Sequence, residues 1–216
     1  MSDVMLFANW PVPPHIIAGT TLRHGGEAEL PVVPHYLQQV HGTRVVRLGT
    51  ADFADGSPVA DAVIGERPGD MCVVRTADCL PVLLCSIDGT EFAAVHAGWR
   101  GLAAGVIETA VAAMRSEAGR LVAWLGPAIS QAAFEVGDEV RQQFAAGGEL
   151  PDELFVANAR GRWQADLYGL ARLRLCRLGI TRVHGGGHCT FADAERFYSY
   201  RRDGQTGRLL SFVYRK

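Results

Sequence analysis

Residues 76–101, TADCLPVLLCSIDGTEFAAVHAGWRG, constrain the fold of this chain more than any other stretch. Positions 82–87 and 91–96 are short apolar runs bounded by turn formers, the pattern of two strands. Between them stands Asp88-Gly89, a pair suited to a two-residue type I′ turn, whose central residues both need positive φ. That turn sets Ile87 opposite Thr90 and Pro81 opposite His96, and brings Cys79 level with Gly98. Cys79 and His96 are then diagonal neighbours at the open end of one hairpin, roughly 7–8 Å apart at the backbone. Two side chains can span that gap to share a metal ion. A loop of three or four residues would slide the pair.

The rest of the chain is read around this hairpin. At 216 residues it can build one core, burying roughly 70% of its unfolded surface, and residues 1–216 are read as a single domain. A net charge of −2, with no basic stripe, argues against a nucleic-acid partner. The cysteines at 72, 79, 85, 176 and 189 are odd in number and include no C-x-x-C, which points to a reducing compartment and buried thiols. The N-terminal MSDVMLFANWPVPPHII has no basic n-region and breaks at prolines, unlike a signal peptide. No apolar run approaches the ~20 residues of a membrane span. A cytoplasmic protein with no membrane partner is expected.

Extended segments are expected at 16–21, 36–40, 43–48, 60–64, 71–76, 121–125, 181–183, 197–201 and 208–214. Helices are expected at 102–114, 136–145 and 165–178, the last capped by Gly179. Residues 1–14 read as irregular and 147–164 as loop-rich. The fold class is α+β, with mixed β-sheets and flanking helices in one domain.

His41 sits in QVHGT at a strand-to-turn break, where a side chain can enter a cleft. With Cys79 and His96 it makes a set of one thiolate and two imidazoles, suited to Zn²⁺ with a fourth position open. The same residues also read as a packed thiol and two hydrogen-bonded core histidines. Gly98-Trp99-Arg100-Gly101 joins a strand to a helix start, where free N–H groups favour an anion. The plainer reading is an exposed arginine on a turn. There is no G-x-S-x-G, no GK[ST] loop and no G-x-G-x-x-G after a strand, so esterase, P-loop and Rossmann readings fall away.

QVHG at 39–42, TADCLPVLL at 76–84, HAGWRG at 96–101, GPAI at 126–129, FEVGDEV at 134–140 and SYRRDG followed by GR at 199–208 together resemble one bacterial family. It was first labelled polyphenol oxidase or laccase domain, is now described as purine nucleoside phosphorylase, and also carries the name peptidoglycan editing factor. The resemblance runs from about residue 16 to the C-terminus, with the motifs in the family's order. It implies an α/β-type domain and a zinc ion held by the residues matching His41, Cys79 and His96. It further implies phosphorolysis of adenosine, inosine and S-methyl-5′-thioadenosine, with some adenosine deamination.

Within the matching motifs, Arg23, Gln39, Arg100 and Arg201 are the candidates for holding substrate and phosphate. Asp61 and Asp78 are the acids nearest the ligands in sequence and candidates for moving protons; either can equally cap a turn or orient a ligand histidine. Two departures stand out. TTLRHGG carries an inserted Leu22, and residues 27–38 replace a longer helix-containing segment before Gln39. The family's cysteine-bearing segment after GPAI reads Ser130-Gln-Ala-Ala here.

Other chemistries compete. A multicopper phenol oxidase needs on the order of ten histidines. This chain has seven and no H-x-H pair, though a single copper can substitute in the zinc site. Cys79 activated by His41 or His96 could instead be the nucleophile of an amidase acting on peptidoglycan precursors. A non-catalytic metal-stabilised module is the remaining option, and a three-ligand site with an open position weighs against it.

Overall fold

A computed structural model describes residues 3–216. Its strands are β1 (Met5–Phe7), β2 (Ile16–Thr21), β3 (Val45–Arg47), β4 (Ala62–Gly65), β5 (Met71–Thr76), β6 (Leu80–Ser86), β7 (Phe92–Ala97), β8 (Leu121–Leu125), β9 (Glu135–Val136), β10 (Phe155–Ala157), β11 (Trp163–Ala165), β12 (Arg182–Gly185) and β13 (Leu209–Arg215). Its α-helices are α1 (Trp99–Ala104), α2 (Val106–Ala113), α3 (Asp138–Ala145), α4 (Leu167–Arg177) and α5 (Tyr200–Asp203).

The organising hairpin is β6–β7, and its register is the one the sequence predicts, with Pro81 opposite His96 and Leu80 opposite Ala97. The turn is different. Gly89 takes a φ of 70°, but Asp88 does not join it at positive φ, so the turn is not type I′. The Asp88 carboxylate draws the loop inward, accepting from the Ser86 hydroxyl and from both the N–H and the hydroxyl of Thr90. The last backbone bond of the ladder is Ser86 N–H to Glu91 C=O, leaving residues 87–90 as a four-residue loop. Such a loop is centred on the same point as the expected two-residue one. The pairing therefore does not slide.

β6 and β7 are buried along their whole length because both faces of their sheet are covered. The sheet runs β12-β8-β6-β7-β4-β3, antiparallel within and parallel at its two outer pairs. Leu80, Val82, Leu84, Ala93 and Val95 point to a core shared with α2 and α4 through Val106, Ile107, Leu170 and Leu175. Leu83, Cys85, Phe92 and Ala94 point the other way, against Ala18, Cys72, Val74 and Val213 of the antiparallel sheet β1-β2-β13-β5. Alternate side chains of one hairpin thus nucleate two cores. A small third sheet, β10-β11-β9, packs beside them. The fold is α+β with mixed sheets and flanking helices.

Several expected elements change. Residues 36–40 make only a single bridge, Gln38 to Val59. The helix expected over 102–114 begins at Trp99 and is broken by Gly105, at φ 96°. Residues 197–201 are not a strand: the Ser199 hydroxyl accepts the Arg202 N–H and starts α5 there instead. β9, β10 and β11 arise in segments read as helix start or loop, and β1 in the segment read as irregular. All four are two or three residues long, too short for a periodic signal. Among the described residues all five cysteines are unpaired, and Cys72 and Cys85 are buried. No helix of the described residues is long and apolar enough to cross a membrane.

Candidate metal centre

Cys79 stands just before β6 and His96 near the end of β7, so the hairpin presents both at its open end. His41 comes from the loop before β3. One donor atom from each of the three lies within 4.8 Å of the others, a spacing that can hold a metal ion. Cys79 Sγ is 3.6 Å from His41 Nε2, and the two imidazole centroids are 4.8 Å apart. Among the described residues no other group of three such donors converges.

Asp61 arranges this cluster from below. It is fully buried, and four donors point at its carboxylate. Oδ2 accepts the N–H groups of Gly42 (2.7 Å) and Val40 (3.2 Å), while Oδ1 accepts the His41 N–H (2.9 Å) and meets His96 Nδ1 at 2.8 Å. Those bonds hold His41 at a φ of 61°, which non-glycine residues seldom adopt. With Nδ1 engaged, the Nε2 of His96 is left to face the cluster.

The electrostatics follow from the contacts. Burial pushes the Cys79 thiol up, but hydrogen bonds from His41 and His96 outweigh it and bring the thiol down to about 6. Burial disfavours charge on His96, yet Asp61 and Cys79 outweigh it and hold the imidazole above its ordinary value. One thiolate and two imidazoles suit a borderline-soft cation such as Zn²⁺, and copper as well.

Two glycines of HAGWRG are explained by the same packing. A Cβ at Gly98 would stand 2.7 Å from His41 Cδ2 and 3.0 Å from Cys79 Sγ, inside the cluster. At Gly101 it would meet the carbonyl oxygen of Gly42 at 2.9 Å. Gly98→Ala is therefore expected to weaken metal binding roughly tenfold or more, the scale seen when ligand orientation is disturbed. Titration against a chromogenic chelator measures this, and unchanged affinity would mean the glycine is not required.

The cluster opens on a cavity of about 790 Å³, within the range of small-molecule sites. Asp78 lines it and Asp61 does not. Both carboxylates accept several hydrogen bonds. Asp78, at a φ of 90°, accepts the Thr190 hydroxyl on Oδ1 and the Arg201 N–H on Oδ2, both at 2.6 Å. Those bonds tie α5 to the loop that carries Cys79.

Of the residues considered for substrate, Gln39, Arg100 and Arg201 line the cavity. The Gln39 amide grips the Arg75 backbone on both sides, accepting its N–H and donating to its C=O, each at 2.8 Å. Arg23 is not brought to the cavity. Its guanidinium donates to Ala194 C=O at 3.1 Å and lies 3.8 Å from Asp203.

Arg75 and Arg208 also line the cavity; Arg75 lies outside the matching motifs, and Arg208, which ends the motif at 199–208, is not one of the substrate candidates named from the sequence. One signal exists for Arg75: it is the lone exposed residue of the otherwise buried β5. Among the described residues none of Arg75, Arg100, Arg201 and Arg208 has a carboxylate within ion-pair distance, although Arg44, Arg47, Arg174 and Arg202 elsewhere each do. Four guanidinium groups without a carboxylate in ion-pair distance give the cavity a positive rim, although the Asp78 carboxylate also lines it. A smaller cavity of about 220 Å³ beside Val33, His35, Phe53 and Met71 holds none of these groups.

Residues 20–216 match the family described as multi-copper polyphenol oxidoreductase laccase. A purine nucleoside phosphorylase of Pseudomonas aeruginosa is 44% identical over 244 residues, covering 98% of this chain and 98% of that protein. The alignment is longer than this chain, so the Pseudomonas relative carries segments without a counterpart here. A purine nucleoside phosphorylase of Escherichia coli is 48% identical over 185 residues, covering 86% of this chain and 75% of its own length. A solved structure of a Neisseria meningitidis protein superposes with a TM-score of 0.90 at 40% identity, covering 98% of this chain and 99% of its own.

Proposed function

Because the chain belongs to the multi-copper polyphenol oxidoreductase laccase family, whose relatives include purine nucleoside phosphorylases, we propose that it is a zinc-dependent purine nucleoside phosphorylase acting on adenosine, inosine and S-methyl-5′-thioadenosine. The observation that carries this reading is the cavity itself, where the His41–Cys79–His96 cluster and four arginines without carboxylate partners share one space. Phosphorolysis needs both an anion site and stabilisation of charge as the glycosidic bond breaks. A phosphate oxygen bonds to C1′ of the ribose, the C1′–N bond breaks toward the base, and the base leaves with a proton. Arg100 and Arg201 hold the phosphate in this reading, with Arg75 and Arg208 adding positive field. A zinc ion on the cluster would supply Lewis-acid polarisation.

Adenosine deamination is a second activity of the same cavity: water adds at C6 of adenine, the C6–N bond breaks, and ammonia leaves with a proton from that water. Asp61 serves as a positioning group rather than a proton carrier, since all its bonds go to the metal-binding segment. The phenol-oxidase reading suggested by the family's description needs several copper centres, whereas among the described residues a single three-donor cluster forms. Copper in place of zinc remains compatible with that one cluster.

The test is base release from the three nucleosides with and without phosphate, using protein of measured metal content. Release is expected to depend on phosphate. Arg100→Ala and Arg201→Ala are expected to raise the KM for phosphate about tenfold or more, the loss of one charge-assisted bond pair. Equal release without phosphate would refute the phosphorylase reading.

A further inference from the structure

Three aromatic side chains line the cavity, and two are already covered. The Arg100 guanidinium lies 4.5 Å from the Trp99 ring centroid, and that of Arg201 lies 5.4 Å from the ring centroid of the buried Phe134. Tyr200 is different. Its side chain belongs to a residue 62% exposed, and among the described residues its ring has no aromatic or cationic partner and its hydroxyl no hydrogen bond.

The backbone beneath it is nevertheless fixed. Tyr200 opens α5, whose cap is the Ser199 hydroxyl, and the next residue's N–H is bonded to Asp78 Oδ2 at 2.6 Å. Its own C=O accepts the Gly204 N–H. A rigidly mounted aromatic ring with a bare face, at the edge of a cavity otherwise rich in arginine, is suited to one kind of partner: a flat, uncharged, polarisable ring.

We propose that Tyr200 is the stacking platform for the base of the substrate and the residue that sets its preference for purines. This rests on the nucleoside reading of the cavity. The arginines hold the anionic end of the reacting pair, and Tyr200 holds the heterocycle. A bicyclic purine covers more of the ring face than a pyrimidine, so affinity follows from overlap without a hydrogen bond to any base edge.

Two readouts test this. By calorimetry, Tyr200→Ala is expected to bind adenosine and free adenine about ten- to a hundredfold more weakly than wild type, the cost of one lost base–aromatic stack, and Tyr200→Trp to retain affinity. In turnover, the KM for adenosine should rise in parallel while kcat and the KM for phosphate stay within about twofold. Since Tyr200 is largely exposed and its side chain has no hydrogen-bond, aromatic or cationic partner among the described residues, the alanine variant should fold as wild type does. Unchanged adenosine affinity in Tyr200→Ala, or no binding of adenosine or adenine by wild type, would overturn the proposal. Binding without phosphate-dependent base release would defeat only the phosphorylase reading, because the binding readout needs no turnover.

Discussion

Cys79→Ser is expected to lose metal and activity together, with metal affinity falling on the order of a hundredfold or more. Serine is close in size, and Gly98 already leaves room for the larger sulfur, so the fold has no reason to change. What changes is the donor. The two imidazoles that bring the thiol to about 6 make it a thiolate at neutral pH, whereas a serine hydroxyl stays protonated and is a poor ligand. Cys79→Asp, which restores an anionic donor, should recover part of both metal and turnover. The rival reading, Cys79 as nucleophile of a peptidoglycan amidase, also needs a thiolate, so reactivity toward alkylating agents does not separate them. Metal content does. A serine variant that is inactive but fully metallated, or an intact-mass adduct of substrate on Cys79 in wild type, would favour the nucleophile.

The hairpin was legible because strand pairing depends on where a loop is centred and not on its turn type. Asp88-Gly89 marked that centre correctly, although side-chain bonds from Ser86 and Thr90 to Asp88 selected another turn. His41 was legible only through its motif, since its position relative to the hairpin depends on a loop at positive φ held by Asp61 from a different strand region. No local pattern encodes that contact. Arg75 and Arg208 escaped notice for a similar reason: which arginines converge on one cavity is set by the tertiary fold and by no local pattern. Arg23 shows the converse. It stands in a matching motif, yet Asp203 and Tyr198 draw it aside. The short strands β9 to β11 were illegible because two or three residues carry no period.

Asp61→Asn is the sharpest probe of how the centre is assembled. The substitution preserves shape and replaces one accepting oxygen with an NH₂ group. Every donor around Asp61 is an N–H, so whichever way the amide turns, it points hydrogens at hydrogens. If the NH₂ faces Val40 and Gly42, the loop carrying His41 loses the bonds that keep it at φ 61°. If it faces His96, the imidazole is driven to protonate Nε2 and Nδ1 must accept instead, which removes the lone pair a metal would use. Either outcome leaves polar groups opposed against a side chain that is itself fully buried. The expected cost is about 3–5 kcal/mol of folding stability, the range for breaking a fully buried charged network. Metal affinity is expected to fall about ten- to a hundredfold in the protein that remains folded. Denaturant unfolding of the metal-free protein and a metal titration of the folded variant measure the two separately. An Asp61→Asn protein of normal stability and metal affinity, but with kcat reduced, would instead make Asp61 a proton carrier. The four inward-pointing donors predict the loss of stability and metal.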